Sequence, residues 1–431
     1  MQNMRAPAFR SVSYQAALFA AALLTLAPMP GRAQAPSAAP PPPDEARCTG
    51  QAAVSPDAQA AACTNLLDSG RYTTQNRAIL HSNRGIAYAK AGDYGRAIAD
   101  FNEAIRINPN HLRAYINRGN AQLATRDFEG AIASFDQAIR LDPKSLMGYM
   151  GRATAYDRNG DTDRAVADYG QALKSDPNLA AAYFNRGLAY RRLGDFDRAI
   201  ADYDQAIRIN PKDVSAYNNR GIAQADKGDR DRAMADYDQA IKLDPNYALA
   251  YLNRGLLWQG KDDDRAVADF DKAIALAPES AAAYNNRGAI WNSRGEFDRA
   301  LADFDKAIQQ DSRNPNFYDN RGNVWRNKGR FDRAVEDYDK AIALAPNFAL
   351  AFFNRSQAHY LAGRFSQALA DADKAAALNG NSAAAFSLRG LIREKLGARD
   401  DAIADLRQAA ALDPTFQQPT DALRRLGAAV H

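Results

Sequence analysis

The chain runs to 431 residues but has only 2 cysteines, 4 histidines, 3 tryptophans and 6 methionines. So few thiols and imidazoles leave no Cys/His set at metal-ligand spacing. His81, His111, His359 and His431 are scattered along the sequence, and His81 and His359 fall in slots otherwise filled by aromatics, which favours a core or rim role over a ligand role. There is no strained nucleophile turn and no glycine loop to cradle a phosphate. The run Asp262-Asp263-Asp264 lacks the ligand pattern of a calcium loop and reads as a solvated turn. The chain is accordingly read as non-enzymatic, with no metal and no cofactor.

An excess of one charge is missing too. The 55 basic and 51 acidic residues give a formal net charge of +4. Long apolar runs are absent: the stretch from Ala16 to Ala27 has the length of a signal-peptide core and is too short to span a bilayer. Arg5 and Arg10 precede it, and Gly31-Arg32-Ala33 follows as a cleavage site, so residues 1–33 are read as a signal peptide. Removing Arg5, Arg10 and Arg32 leaves 52 basic against 51 acidic residues. A chain so nearly neutral has no basic stripe for nucleic acid. The expected compartment is the periplasm of a Gram-negative cell, with secretion as the alternative, and the mature chain carries no membrane span.

Residues 34–46 are rich in Ala and Pro, with four prolines from Pro40 to Pro43, and read as a stiff linker. Cys48 and Cys63 lie 15 residues apart and most simply form one disulfide, two free thiols or an intermolecular bridge being the alternatives. Closing a loop of that size would stabilise by about 3 kcal/mol in the chain-entropy account. Residues 47–77 read as an N-terminal cap or degenerate half-repeat.

What the chain has in abundance is repetition. Asn-Arg-Gly recurs with its glycine at Gly85, Gly119, Gly187, Gly221, Gly255, Gly288 and Gly322; Leu-Arg-Gly puts Gly390 in the same slot, and Ala153 and Ser356 fill the two slots without glycine. The step is 34 residues, with a single step of 33 between Gly255 and Gly288. Such a period means stacked helical hairpins, none of which can bury its apolar face alone. In residues 180–213, Tyr183, Gly187 and Tyr190 share one face of a first helix, Gly194-Asp195 breaks it, and Ala199, Tyr203, Ala206 and Ile207 stripe a second. Asn210-Pro211 closes the unit. Trp258, Trp291 and Trp325 share one slot, and their spacing makes them core residues rather than a carbohydrate platform.

An aromatic four residues before Gly, Tyr or Trp three after it, then Ala, aromatic, Ala and Pro: this pattern resembles the tetratricopeptide repeat (TPR) family over residues 78–414, in ten copies. The resemblance implies an all-α, right-handed superhelical solenoid of about ten TPR hairpins. It also implies a concave groove, lined by the first helices, that binds extended peptides or partner segments. Residues 415–431 would cap the far end through an amphipathic segment, Thr420 to Leu426.

One departure from the family is systematic. Where the family carries Leu before the Gly, this chain carries Arg in all ten copies, from Arg84 to Arg389. Nine second helices carry Asp, at Asp100, Asp168, Asp202, Asp236, Asp269, Asp303, Asp337, Asp371 and Asp405. Each Arg is expected to lay its stem on the core edge and pair with an Asp of its own or the next repeat; two unrelated solvated rows are the alternative.

The Asn of the tripeptide lies beside the buried stripe and should face the groove. It stands at Asn83, Asn117, Asn185, Asn219, Asn253, Asn286, Asn320 and Asn354, with Gly151 and Leu388 as exceptions. A carboxamide donates and accepts at once, so a ladder of them can pair with a peptide backbone of any sequence. Asn as a purely structural preference explains the pattern equally well. Phe184, Arg158, Arg191, Arg192 and Arg326 flank this ladder. The basic cluster Arg158, Arg191, Arg192 could take a carboxylate, or be a solvated face. The function expected is a scaffold that binds a protein or peptide partner in its groove, probed against two rivals: self-assembly through the end repeats, or service as an accessory subunit of an envelope enzyme complex. Oligomeric state is not readable.

Overall fold

A computed structural model describes residues 43–429, so the proposed signal peptide and most of the proposed linker lie outside the described residues. Every element among the described residues is an α-helix. They divide into two units, one ending at Ile107 and the other beginning at Asn108.

The first unit holds α1 (Pro43–Cys48), α2 (Pro56–Asp68), α3 (Thr74–Lys90) and α4 (Tyr94–Ile107). Helix α1 thus starts within the segment read as linker. Cys48 and Cys63 are bonded, with Cα atoms 4.8 Å apart, and both are fully buried beside Leu66, Leu67 and Leu80. The disulfide therefore ties α1 to α2 over a small apolar cluster.

The second unit holds nine hairpins: α5 (Leu112–Ala124) with α6 (Phe128–Leu141), α7 (Leu146–Arg158) with α8 (Thr162–Ser175), α9 (Ala180–Arg192) with α10 (Phe196–Ile209), α11 (Val214–Lys227) with α12 (Arg230–Leu243), and α13 (Ala248–Trp258) with α14 (Asp263–Leu276). Then come α15 (Ala281–Ser293) with α16 (Phe297–Gln310), α17 (Pro315–Asn327) with α18 (Phe331–Leu344), α19 (Ala349–Leu361) with α20 (Phe365–Leu378), and α21 (Ala383–Lys395) with α22 (Arg399–Leu412). Helix α23 (Gln417–Arg425) ends the unit and begins three residues earlier than its amphipathic pattern suggests. Its Pro419 sits in the first turn, where a missing N–H is harmless, and its Leu423 is fully buried against Leu406.

The turns inside the hairpins have local causes. Gly194 takes φ +76°, a conformation costly for a side chain, and Asp195 then accepts from the Arg198 N–H at 3.0 Å to start α10. Repeat two lacks that glycine and puts Arg126 at φ +63° instead. Successive first helices touch directly: α5 with α7, α9 with α11, α11 with α13, α15 with α17, α17 with α19, α19 with α21. Successive second helices make no comparable contact. The stack in this unit therefore bends with its first helices inside, which makes their shared face the inner surface.

The arginines before the Gly slot carry the register of the stack. In nine repeats Nε and Nη2 both donate to the Asp of the same repeat's second helix, at 2.6–2.9 Å, as in Arg220 with Asp236. In seven of them Nη1 also donates to an acid of the preceding repeat, at 2.5–3.1 Å: Asp136, Asp204, Asp238, Asp271, Asp305, Asp339 and Asp373. The second partner thus comes from the preceding repeat, not the next one. Repeat two has Ser134 in place of the acid, and Arg118 Nε donates to its Oγ at 2.9 Å. Arg186 lacks a preceding partner because Gly170 occupies that slot.

Burial separates the two kinds of partner. The Asp236 side chain is 7% exposed and that of Asp204 is 51%. Asp236→Ala should therefore leave the half-buried Arg220 guanidinium with only its exposed Asp204 partner and cost about 3 kcal/mol, while Asp204→Ala should cost under about 1 kcal/mol. Hydrogen exchange of α11 and α12 in the two variants tests this; equal loss of protection would show that burial does not set the value of these pairs. Gly170→Asp should stabilise by about 0.5–1 kcal/mol, since it removes a mid-helix glycine and supplies the missing acid. A Cβ at Gly170 meets nothing nearer than Arg186 Nη1 at 3.7 Å. Slower exchange in α8 and α9 is the expected reading.

Candidate functional site

The asparagines all sit on first helices, and seven of the eight are half-buried; Asn354 is buried. Their hydrogen bonds sort them by the residue one place earlier in the preceding repeat. Where that residue is an asparagine or an aspartate, the amide is tied to it. Asn253 Nδ2 donates to Asn218 Oδ1 at 2.9 Å, and Asn320 Nδ2 donates to Asn285 Oδ1 at 2.9 Å. Asn354 Nδ2 reaches both oxygens of Asp319, at 2.9 and 3.1 Å. Each tie spans 35 residues, one repeat plus one position.

Where the preceding residue is apolar, no tie forms. Asn219 follows Phe184, and Asn286 follows Leu252; their amides donate to the Ser215 and Ala282 carbonyls of their own helices, at 2.9 and 2.8 Å. Asn185 follows Met150 and makes no hydrogen bond to another described residue, and neither do Asn83 and Asn117. Asn83 belongs to the first unit, where it edges a hollow of about 270 Å³ lined by Leu66, Tyr72, Ile79 and Leu80.

The two breaks in the ladder have steric causes. A Cβ at Gly151 would lie 2.3 Å from the Phe135 ring, so no asparagine fits there. Leu388 instead joins the apolar cluster of Ala368, Ala372 and Ile392.

The flanking arginines are not a free cationic patch. Arg192 pairs with Asp157, and Arg191 Nη1 with Asp226 at 3.2 Å. Both pairs again span 35 residues. Arg158 lies within electrostatic reach of Tyr169. Arg326 Nη1 donates to Asn354 Oδ1 at 3.2 Å and to Gln357 Oε1 at 2.6 Å. Asp157 and Asp226 neutralise what the sequence suggested was a basic cluster, and the 35-residue spacing is the signal that would have found them. Phe184 packs edge-on against Tyr203, ring centres 5.8 Å apart. The tryptophans are half-buried, and Arg265, Arg299 and Arg333 lie over Trp258, Trp291 and Trp325 at 4.7–5.0 Å.

Asp319 is the residue that sequence reasoning missed. It is 2% exposed, and burial pushes its carboxyl up to about 6 despite the Asn354 amide, the Arg326 charge and the Asn323 amide. A folded-state value above the unfolded one means the native state holds the extra proton between about pH 4 and 6. The stabilising contribution is complete below the unfolded pKa and is lost as pH rises through about 6. The same slot holds asparagine at Asn218 and Asn285, in the same 35-residue tie. Asp319→Asn should therefore stabilise α17–α20 by about 2–3 kcal/mol at pH 8. The gain should vanish at pH 4. Denaturation of wild type and variant at both pH values checks this, and a pH-independent difference would show that Asp319 does not titrate as its burial requires.

Among the described residues no His, Cys, Asp and Glu side chains group so as to hold a metal ion. No helix among them is long and apolar enough to cross a membrane.

Comparison with known proteins is consistent along the chain. Profiles described as tetratricopeptide repeat match residues 82–145, 150–214, 214–247, 281–314 and 383–416. A profile described as TPR repeat matches 322–363. No curated protein matches. Among solved structures, the chain is similar to a tetratricopeptide repeat protein from Parabacteroides merdae at 24% identity, over 58% of this chain and 98% of that one, with a TM-score of 0.49. It is similar to YrrB, described as a TPR protein with an unusual peptide-binding site, at 26% identity over 42% and 95% of the chains, TM-score 0.37. The Cut9–Hcn1 hetero-tetramer of the APC/C gives 15% identity over 89% and 94%, TM-score 0.46.

Proposed function

Given that the chain belongs to the tetratricopeptide repeat family, whose repeats build protein–protein interaction scaffolds, we propose that the inner surface of its second unit binds an extended segment of a partner protein. The observation that carries this reading is the division of the ladder. Asn117 and Asn185 have both amide groups uncommitted, and Asn219 and Asn286 keep their carbonyl oxygens. These amides lie on first helices beside the apolar Ile116, Met150, Phe184 and Leu252, each half-buried or buried. Amides alternating with apolar side chains suit a chain in extended conformation: the amides pair with its backbone, and the apolar slots take its side chains. Asn253, Asn320 and Asn354 have a structural use instead.

The role is non-enzymatic. The setting is the bacterial envelope, in keeping with a disulfide and with the signal-like residues 1–33.

The test is affinity capture from envelope extract with three forms of the full mature chain of equal helicity. Wild type should retain a partner. A variant carrying Asn117→Ala, Asn185→Ala and Asn219→Ala should lose it by about tenfold or more in affinity. Asn320→Ala, outside the open stretch, should retain it. A partner held equally by all three forms would move the site off the inner surface.

A further inference from the structure

The ladder repeats once per hairpin, so a segment lying along it must repeat at the same interval. Neighbouring first helices touch, as α5 does α7 and α9 does α11, and the Arg192–Asp157 pair joins α7 to α9. Helices packed in this way stand about 8–10 Å apart. Each step from one asparagine slot to the next is therefore about that long. The apolar slots one place earlier, Ile116, Met150 and Phe184, follow at the same step on α5, α7 and α9.

Three regular conformations compete for that step. An α-helix bonds its own backbone internally, so the open amides would have nothing to pair with. A β-strand covers the step in about three residues, at about 3.3 Å each, but its side chains alternate between faces. Three residues on, the side chain points the other way. Met150 would then meet the face opposite to the one met by Ile116 and Phe184. A polyproline II segment has about three residues per turn and rises about 3.1 Å per residue, or about 9 Å per turn. Every third side chain returns to the same face, one for each slot. Its carbonyls make no internal hydrogen bonds and stay open to the amides of Asn117 and Asn185.

The charges along the open stretch narrow the chemistry further. Near the C-terminal ends of α7, α9 and α11, Arg192 is paired with Asp157 and Arg191 with Asp226. A charged side chain arriving there would have to displace a partner, and an uncharged one does not.

We propose that the open inner surface of the second unit takes an uncharged segment of another protein in the polyproline II conformation, and reads one apolar side chain in every three. This rests on the groove-binding reading above, which supplies an extended segment but neither its helical form nor its period.

Phage-displayed random dodecapeptides selected on the full mature chain provide the test. Wild type should select apolar residues at positions i, i+3 and i+6, with no charged residue between them. In a selected synthetic peptide, proline at the intervening positions should leave affinity within about threefold, since polyproline II needs no backbone N–H. Moving the middle apolar residue by one place should weaken binding about tenfold. Ile116→Asn puts into this slot the residue that Asn218 and Asn285 already hold in theirs, and Gly151 offers no amide for it to tie. That variant should lose the apolar preference at one end position and keep the other two. Apolar residues at i, i+2 and i+4, a loss of more than about tenfold on proline substitution, or preferences unmoved by Ile116→Asn would overturn the proposal while leaving groove binding intact. So would a synthetic peptide of the chain's own residues 34–43 that binds as tightly as the selected ones, since the occupant would then be a second copy. Selection of no peptide, or of peptides indifferent to the Asn117, Asn185 and Asn219 replacements, would sink the groove reading itself, and this inference with it.

Discussion

The whole stack depends on one contact: the ring of the second helix pressed against the backbone of the first at its glycine. A Cβ placed at Gly187, Gly221, Gly255 or Gly322 would stand 2.7–2.8 Å from the facing Tyr or Phe ring. That is closer than carbon atoms approach, so glycine is what allows a full aromatic to be buried between the helices. The departures obey the same volume rule. Ser356 replaces glycine where Ala372 replaces the aromatic, and the space released lets the Ser356 hydroxyl donate to the Ala368 carbonyl at 2.8 Å. Repeat nine is thus weakened in apolar area but not left with a void.

Upon that contact rests the arginine. Its position beside the glycine puts its stem at the edge of the helix pair, with the guanidinium 5.1–5.8 Å from the aromatic one turn earlier. A leucine there would add apolar area but no direction. The planar fork meets the carboxylate of its own repeat bidentately and still has Nη1 to reach the repeat before. In a solenoid each repeat sees only its neighbours, so a bond that crosses the joint counts toward the interface between repeats and not toward the stability of either alone. The outer acids of these triads are half-exposed, which makes the cross-joint bond the weaker one.

The paired helices of each repeat, their apolar stripes and the Arg–Asp rows were legible in the sequence, because ten copies repeat the same local chemistry. The ties across the inner surface were not. They join residues 35 apart, so each is the period plus one, and a search aligned on the period places the two partners in different columns. Asp319 was hidden for that reason: in its own column it replaces an asparagine, and only its bond to Asn354 shows what it does. Arg191 and Arg192 misled in the same way, since the acids that neutralise them lie on neighbouring first helices. The gap at Gly151 needed three dimensions, because the ring that fills it comes from the preceding repeat.

These ties also decide which amides of the inner surface keep their hydrogen-bonding groups uncommitted. An amide that bonds to the previous helix stiffens the stack but has lost the donor that a ligand would need. The residue one place before each asparagine makes that choice: Asn218, Asn285 and Asp319 close the next amide, whereas Met150, Phe184 and Leu252 leave the next one uncommitted or bonded only to its own helix. The apolar choice also places apolar side chains beside the amides it leaves uncommitted. At repeat six the shortened α13 ends at Trp258, and Gly260 stands where earlier repeats carry Arg158, Arg192 and Asp226. There Asp263 Oδ1 accepts from the Gly260 N–H at 2.7 Å, and Leu256 beside it is 41% exposed. The single 33-residue step thus falls between a tied amide, Asn253, and one bonded only to its own helix, Asn286.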